Sequence, residues 1–221
     1  MIVRKTSMKE KAKLAPYKEV KRIDFLQAGF KLFSERSIED VTLNDVANAS
    51  NYGVATLYRY FKKKPGFVVA VAGWRWSQFY EENQKRRPNV NFKGMTAAQI
   101  FDFYLDSFIE LYKNHKDLLR FNHYFEIYIQ SEDIDDETLK PYKTIIENLK
   151  KQFHLIYEKA KEDKSLRTEI PEDKIFSTTL HLMFAAVTRY AAGLFYTSES
   201  SFDDLGELLV LKEMLLNRFT L

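Results

Sequence analysis

Apolar residues recur at intervals of three or four along almost the whole chain, which is the spacing of one face of an α-helix. Between residues 17 and 35 this spacing predicts a first long helix. The same spacing predicts further helices over residues 42–50, 54–61, 65–87, 96–113, 115–130, 138–163, 171–196 and 203–219. Glycine and proline are scarce, with 7 and 5 residues in the chain. The pattern therefore predicts an all-α fold of about nine helices.

The second and third of these helices are short, and a tight turn separates them. Thr42 followed by Asp45 is a capping arrangement that starts the second helix. Asn51 tolerates the left-handed conformation and Gly53 adopts it freely, so both are expected in the turn. Two short helices after a basic helix are typical of a helix-turn-helix, whose second helix enters the major groove of DNA.

Formal charge divides the chain into two parts. The whole sequence has 34 Lys and Arg against 31 Asp and Glu, a net charge of +3. Residues 1–66 hold 14 basic and 7 acidic side chains, whereas residues 67–221 hold 20 and 24. We therefore predict a basic domain over residues 1–66 that binds a polyanion and a larger acidic domain over residues 67–221. The alternative for the basic part is a lysine-rich segment that only keeps the chain in solution.

Cellular location is predicted from what the sequence lacks. The chain contains no Cys, so neither a disulfide framework nor a cysteine-bound zinc site is expected. Its first residues have no apolar core of the kind found in a secretory signal. The most apolar stretch, residues 180–196, contains His181 and Arg189 and is expected to form a buried helix, not a membrane span. We expect a cytoplasmic protein with no membrane partner.

Residues suited to catalysis are sparse. The four histidines are His115, His123, His154 and His181, and no two of them are spaced to share one helix face. There is no glycine-rich phosphate loop, no nucleophile elbow and no cysteine nucleophile. We therefore expect no enzymatic activity, no cofactor and no bound metal.

Residues 42–67, TLNDVANASNYGVATLYRYFKKKPGF, resemble the DNA-binding signature of the TetR family of transcriptional regulators. The closest similarity is the run TLYRYF over residues 56–61. This chain has Ser50-Asn51 where the family usually has Ala-Gly, and Tyr52 where it usually has Val. Other matching positions are Leu32, Phe33, Thr42, Val46 and Ala47. The resemblance implies a three-helix DNA-binding domain followed by a helical domain for dimerisation and ligand binding.

The resemblance, together with helix-end electrostatics, assigns DNA contacts to the two short helices. Free amides at a helix start attract phosphate, so Thr42 and Gly53 are expected near the DNA backbone. The residues expected at base edges are Asn44, Val54, Ala55 and Thr56. The residues expected at phosphates are Tyr58, Tyr60 and Lys64, with Arg59 assigned to phosphate or base.

Several of these basic and aromatic residues have an alternative interpretation. Tyr58 and Tyr60 are also suited to packing against the neighbouring helices, and Lys62 and Lys63 to simple solvation. The N-terminal segment is expected to form an arm on phosphates or in the minor groove, or an extension that adds only non-specific affinity. Its basic residues are Arg4, Lys5, Lys9, Lys11 and Lys13.

Two surfaces are expected in the larger domain. The last two helices combine small residues with a long apolar face, which suits a four-helix bundle with a second copy of the chain. The expected interface residues are Ala186, Tyr190, Leu194, Leu208, Leu211 and Leu215. The alternative is that these side chains form the core of one subunit.

The second surface is a pocket for a small apolar or amphipathic effector, because ligand pockets are mostly aromatic with a few polar groups. The candidate lining is Trp76, Tyr80, Tyr104, Phe108, Asn122, His123, Phe125, Tyr128, His181, Phe184 and Arg189. The alternative is ordinary core packing. Arg189 has two candidate partners, an acidic residue across the dimer or an anionic effector.

These expectations combine into a ligand-responsive regulator, a homodimeric repressor that binds a pseudo-palindromic duplex DNA operator and is released by a small molecule. A helical scaffold for protein partners is the alternative, and it leaves the basic helix-turn-helix unexplained. DNA binding that weakens steeply with salt separates the first class from the second.

Overall fold

The computed structural model describes residues 8–86, 91–195 and 203–221, and side chains over residues 17–85, 91–195 and 203–221. The described residues form an all-α fold, as the apolar spacing predicts. Its helices are α1 (Met8–Glu35), α2 (Leu43–Ala49), α3 (Val54–Phe61), α4 (Lys64–Arg86), α5 (Ala97–Asn114), α6 (Lys116–Ser131), α7 (Asp136–Asp163), α8 (Glu172–Ala191) and α9 (Asp204–Phe219). No helix in these ranges is both long and apolar enough to cross a membrane.

Two helix starts have the capping boxes that the sequence predicts. The Thr42 hydroxyl accepts from the Asp45 amide at 3.1 Å, and the Asp45 carboxylate accepts from the Thr42 amide at 2.8 Å. Thr96 and Gln99 make the same reciprocal pair at the start of α5. These bonds satisfy amides that have no partner within the helix, which fixes where α2 and α5 begin.

Two helix bounds differ from the sequence expectation. The first helix begins at Met8, not near residue 17, so residues 8–16 continue α1 instead of forming a separate arm. Arg4 and Lys5, and the side chains of Lys9, Lys11 and Lys13, lie outside the described part. Helix α8 ends at Ala191, short of the expected residue 196, and the next turn includes Gly193 with φ of 74°. This left-handed residue ends the helix although the apolar sequence continues.

All nine helices contribute to one continuous hydrophobic core. Helix α1 lies against α4 and α6, while α8 lies against α5, α6 and α9. The contact between α1 and α6 includes the Phe30 and Phe121 rings, whose centroids are 5.6 Å apart. The Arg120 Nε also donates to the Ser34 carbonyl at 3.3 Å. The helix that leads into the helix-turn-helix is therefore packed directly on the larger body.

The end of the chain closes against the loop between α7 and α8. Leu166 and Thr220 form an isolated antiparallel bridge. The Lys212 ammonium, which is largely buried, bonds Asp102 at 2.7 Å and also bonds Asp106 on α5. These contacts anchor α9 to α5 and to the loop before α8.

Replacement of Gly29 by alanine is expected to destabilise the fold. A Cβ at this position would lie 2.5 Å from Cζ of the fully buried Phe67 ring and 3.2 Å from Cγ2 of Val71. Overpacking of this kind costs about 1–3 kcal/mol, more than the roughly 0.5–1 kcal/mol that alanine gains over glycine in a helix. Urea unfolding measures the difference.

Gly73→Ala in α4 is the matched control, because its new Cβ would lie 3.7 Å from the nearest side-chain atom, Cβ of Pro141. This variant is expected to be more stable than the wild type by up to about 1 kcal/mol. If Gly29→Ala gained stability to the same extent, the close approach of α1 and α4 would be contradicted.

Candidate functional site

The turn between α2 and α3 depends on one left-handed residue, and that residue is Asn51. Its φ is 58°, and the following Tyr52 amide donates to the Ala47 carbonyl at 3.0 Å. The sequence expectation that Gly53 also takes a left-handed conformation is wrong, since Gly53 has φ of −72° and serves as the N-cap of α3. No atom lies within 4 Å of a Cβ built on Gly53. The start of α3 is therefore open to an approaching phosphate.

Tyr52 attaches this turn to α1. Its hydroxyl donates to Asp24 Oδ2 at 2.7 Å, and its ring lies 5.2 Å from the Phe25 ring centroid. The hydrogen bond to Asp24 raises the pKa of the Tyr52 phenol, so the hydroxyl stays protonated as the donor. Sequence reasoning missed Asp24, although it lies on the face of the first helix next to Phe25.

Helix α3 divides sharply into a buried and an exposed face. Leu57 is fully buried, whereas Ala55, Tyr58 and Arg59 are exposed and Val54 and Thr56 are partly exposed. Arg59 Nη2 donates to the Thr56 hydroxyl at 2.9 Å, which orders both groups along the exposed face. Three of the four predicted base-edge residues, Val54, Ala55 and Thr56, are thus at least partly exposed in the first turn of α3, although Val54 also packs against the core.

The two predicted phosphate tyrosines differ in their surroundings. Tyr58 is 49% exposed and is free of ring contacts to other described residues. Tyr60 is half-buried, with its ring centroid 5.9 Å from that of Phe25 and 6.2 Å from that of Phe61. Tyr60 therefore packs against neighbouring helices, which was the alternative to a phosphate contact. Tyr58 is the more accessible of the two.

Lys64 has partners inside the chain. Its ammonium donates to the Glu39 carbonyl at 3.1 Å and lies 5.7 Å from the centroid of the Tyr128 ring. Partial burial lowers the pKa of this ammonium from its usual value. The Glu39 side chain in turn accepts from the Ser131 hydroxyl at 3.3 Å, at the end of α6. Lys64 thus links the helix-turn-helix to the body, a role that its sequence position did not indicate.

Thr42 and Asn44 are exposed at the start of α2. The Thr42 hydroxyl also donates to Asp45 Oδ2 at 2.8 Å. Hydrogen bonds from Thr42 lower the pKa of the Asp45 carboxyl, which keeps the cap charged near neutral pH.

The predicted pocket residues divide into three groups. Tyr80 and His181 are exposed, so the expectation that they line an interior pocket is wrong for the described subunit. Phe108, Phe125 and Tyr128 are buried core residues. The remaining candidates, at intermediate burial apart from the buried Asn122, are Trp76, Tyr104, Asn122, His123, Phe184 and Arg189.

Several buried polar atoms in the body have no hydrogen-bond partner among the described residues. Those on uncharged side chains are Trp76 Nε1 on α4, the Tyr104 hydroxyl on α5, both Asn122 amide atoms on α6, and the Thr179 and Thr188 hydroxyls on α8. Each such group costs about 1–3 kcal/mol when it stays unsatisfied. Buried polar groups without a protein partner are usually bonded to water or to another molecule.

Two of these residues, Trp76 and Tyr104, pack against phenylalanine rings. The Trp76 ring centroid lies 5.8 Å from that of Phe184, and the Tyr104 centroid lies 5.9 Å from that of Phe153. Phe153 in turn lies 5.5 Å from Phe176, which precedes Thr179 by one turn of α8. Trp76 and Tyr104 therefore each pack on phenylalanine rings, in two separate sets of ring contacts.

Arg75, His115 and Glu82 form a cluster in which Arg75 and His115 are buried and the Glu82 side chain is 42% exposed. Arg75 Nη2 lies 3.1 Å from His115 Nδ1, and Arg75 Nη1 lies 3.5 Å from Glu82 Oε1. The Glu82 carboxylate is also 3.8 Å from His115 Nε2. The guanidinium is thus neutralised within the chain, and its carbon lies 5.3 Å from the centroid of the Phe30 ring on α1.

One set of metal-ligating groups converges within the described ranges. Donor atoms of His154, Glu158 and Glu172 all lie within 4.8 Å of one another. His154 already pairs with Glu172 at 2.9 Å, and Glu158 pairs with Lys161 at 2.6 Å. We interpret the set as a surface ion-pair cluster.

The outer surface of α8 and α9 is apolar. Residues there with at least two fifths of their surface exposed are Leu182, Leu194, Leu209, Val210 and Met214. Ala186, Tyr190 and Leu211 line a cleft together with Val210 and Met214. Leu208 and Leu215 are buried inside the subunit, so their expected place in a dimer interface is wrong. Apolar residues occur on both faces of α9, so the sequence pattern does not show which face is buried in the subunit.

A match to a known protein family covers the helix-turn-helix and the adjoining parts of α1 and α4. Residues 25–71 match the family model described as "Bacterial regulatory proteins, tetR family". A search of curated proteins finds no significant match over the chain.

Solved structures with the same fold cover nearly the whole chain. A putative transcriptional regulator from Saccharomonospora viridis, in complex with choline, has a TM-score of 0.70 at 11% identity, covering 90% of this chain and 97% of that one. The transcriptional regulator FadR from Bacillus subtilis, in complex with stearoyl-CoA, has a TM-score of 0.65 at 15% identity, covering 88% of this chain and 97% of that one. A putative TetR-family regulator from Vibrio parahaemolyticus has a TM-score of 0.63 at 16% identity, covering 91% and 99%.

The fold and the exposed face of α3 define a helix-turn-helix DNA-binding protein with a larger helical body. The family match over residues 25–71 makes that DNA-binding module one of the TetR type, and the whole chain has the fold of TetR-family transcriptional regulators. The resemblance predicted from TLYRYF over residues 56–61 is confirmed.

Proposed function

We propose that this protein is a homodimeric transcriptional repressor that binds a pseudo-palindromic DNA operator in the cytoplasm and releases it when a small molecule occupies the helical body. The observation that carries the proposal is the exposed face of α3, where Ala55, Thr56 and Tyr58 stand beside Arg59 on a recognition helix. We assign no catalytic step to the protein.

In the proposed complex, α3 lies in the major groove. Val54, Ala55 and Thr56 contact base edges, where methyl groups meet thymine and the threonine hydroxyl bonds a base atom. Thr42, the open backbone at Gly53, and Tyr58 contact phosphates on either side of the groove. Asn44 is assigned to a base edge, and Arg59 to a base or the phosphate backbone. Tyr60 and Lys64 are assigned to phosphates at the edge of the contact, where they keep their partners within the chain.

The apolar surface of α8 and α9 supports the proposed dimer. Val210 is 56% exposed and Met214 is 62% exposed, and both border the cleft beside Ala186 and Tyr190. Pairing two such surfaces about a twofold axis removes this apolar area from water and forms a four-helix bundle. A twofold dimer also presents two recognition helices to half-sites about 34–36 Å apart.

The route from ligand to DNA is proposed to run through α6 and α4. Helix α6 contacts α1 through Arg120 and Ser34, and contacts the region before α2 through Ser131 and Glu39. A ligand that prefers one position of these helices shifts the separation of the two recognition helices. The choline and stearoyl-CoA complexes among the similar folds support a small-molecule effector in general.

Selection of bound duplexes from a random DNA pool tests the proposed function directly. The expected result is a site with twofold symmetry whose half-sites are one helical turn apart. Affinity measured by fluorescence anisotropy should fall steeply with salt, since phosphate contacts release counterions. Absent or salt-insensitive binding would favour a protein scaffold instead.

Tyr58→Phe is expected to weaken operator binding about tenfold or more, because a hydrogen bond to a charged group contributes roughly 1.5–3 kcal/mol. The salt slope should change little, since the lost hydroxyl carries no charge. Anisotropy titrations at several salt concentrations give both quantities. Tyr80→Phe is the control, as its exposed hydroxyl accepts from Gln152 at 3.2 Å on the body. Equal affinities for the two variants would remove Tyr58 from the DNA contact.

A further inference from the structure

We propose that His154, Glu158 and Glu172 bind a divalent transition-metal ion on the outer surface of the body, between α7 and the start of α8. The inference goes beyond the proposed function, because neither the DNA contact nor the dimer surface uses these residues. It starts from the convergence of the three side chains, whose donor atoms all lie within 4.8 Å of one another. In the metal-free subunit the same groups form the surface ion-pair cluster.

Two of the three ligands lie on one face of α7. His154 and Glu158 are four residues apart, and this interval places both side chains on the same side of an α-helix. The side chain of His154 is 53% exposed and that of Glu158 is 47% exposed, so an ion reaches both from solvent. A search of the sequence for paired histidines misses this pair, because one of its members is a glutamate.

The third ligand, Glu172, is held beside this face by the loop between α7 and α8. The buried Tyr157 lies between the two α7 ligands in sequence. Its hydroxyl donates to the Thr168 carbonyl and to the Ile170 carbonyl, each at 2.9 Å. Glu172 follows in the first turn of α8, with its Oε2 2.9 Å from His154 Nδ1. The fold therefore brings ligands from two helices together on a backbone that is already fixed.

The donor set of one imidazole and two carboxylates selects the class of ion. Imidazole nitrogen suits zinc and other first-row transition metals, whereas Mg²⁺ and Ca²⁺ prefer oxygen ligands alone. Zinc also accepts three protein ligands with water in the fourth position. Ligands about 2.1 Å from zinc lie roughly 3.4 Å apart in a tetrahedron, so these exposed side chains need to move by only about 1–2 Å.

One neighbouring cation competes with the ion for a ligand. The Lys161 ammonium pairs with Glu158 Oε1 at 2.6 Å, and both side chains are about half exposed. An exposed ion pair of this kind contributes little to stability, so a divalent ion that binds all three ligands at once displaces it. Removal of Lys161 should therefore strengthen metal binding, which a cluster that only pairs charges does not predict.

Isothermal titration of the full, tag-free chain with Zn²⁺ tests the inference. One ion per subunit is expected, with no measurable binding of Mg²⁺ at the same concentration. His154→Gln and Glu172→Gln should each weaken Zn²⁺ binding at least about tenfold, since even the loss of an outer-shell partner costs roughly 10–100-fold. Lys161→Gln should strengthen it severalfold. Glu137→Gln is the control, because it removes an exposed carboxylate about 25 Å along α7 from His154.

NMR spectra of the histidine rings identify the ligand among the four histidines of the chain. Zn²⁺ is expected to shift the ring signals of His154 and to leave the other three in place. No Zn²⁺ binding by the wild type, wild-type affinity in both His154→Gln and Glu172→Gln, or shifts confined to the other histidines would overturn the inference. Neither measurement contains DNA, so the outcome judges the metal site independently of the proposed function.

Discussion

Met214→Asp is expected to convert the protein from a dimer into a monomer and to weaken operator binding roughly 100-fold or more. Met214 is 62% exposed on α9, so a carboxylate there is solvated in the single subunit. In the proposed four-helix bundle the same carboxylate would be buried beside its twofold copy, which desolvation and like-charge repulsion both oppose. A monomer loses the second recognition helix, and with it the gain in affinity of about 10²–10⁴ that linked binding supplies.

Analytical ultracentrifugation measures the oligomeric state, and anisotropy with a twofold operator measures the affinity. Leu155→Asp is the control, because Leu155 is 70% exposed on α7, away from the proposed interface. Both variants should keep the wild-type helical content. A dimeric Met214→Asp protein with unchanged operator affinity would contradict the assignment of α8 and α9 to the interface.

Phe67→Ala is expected to have the largest effect on stability of any single change described here. Phe67 is fully buried at the start of α4, with ring centroids 5.8 Å from Phe33 and 4.8 Å from Phe61. Its ring also fills the space above Gly29 on α1. Removal of such a ring costs about 3–5 kcal/mol, which lowers the melting temperature of a domain of this size by roughly 6–20 °C.

Differential scanning calorimetry of the ligand-free protein measures this loss. Phe92→Ala serves as the matched control, since Phe92 is 42% exposed in the short 3₁₀ turn Phe92–Gly94 and should cost less than about 1 kcal/mol. The Phe67→Ala loss should exceed that of Gly29→Ala, because deletion of the ring opens a cavity between α1, α3 and α4. Similar melting temperatures for Phe67→Ala and Phe92→Ala would mean that α4 does not pack on the helix-turn-helix as described.

The sequence was sufficient to predict the helices because most of them carry local signals. Thr42 with Asp45 and Thr96 with Gln99 are chemical start signals that act over three residues, and both appear in the structure. The bounds of α3 agree with the apolar spacing of Leu57 and Phe61. The first helix begins at Met8, earlier than the apolar spacing predicts, and its backbone continues through Pro16 although proline usually starts or ends a helix.

The site was harder to predict because its decisive contacts are distant in sequence. The partner of Tyr52 is 28 residues away at Asp24, and the partner of Lys64 is 25 residues away at Glu39. Helical spacing also predicts which residues share a face of a helix, but it does not predict whether that face packs inside the subunit or lies on its surface. Leu208 and Met214 both fit the apolar pattern of α9, yet one is buried inside the subunit and the other is exposed. Tertiary packing alone makes that distinction.

The bond between Tyr52 and Asp24 has a consequence for protein engineering. A graft of residues 42–61 into a related regulator, made to transfer its DNA preference, would carry the phenol but leave its carboxylate acceptor behind. The recognition helix would then enter the new host with an unanchored turn and an altered angle to the DNA. A graft that is meant to keep the operator preference should therefore include Asp24 together with α2 and α3. The smallest set of residues that transfers DNA recognition is then discontinuous in sequence.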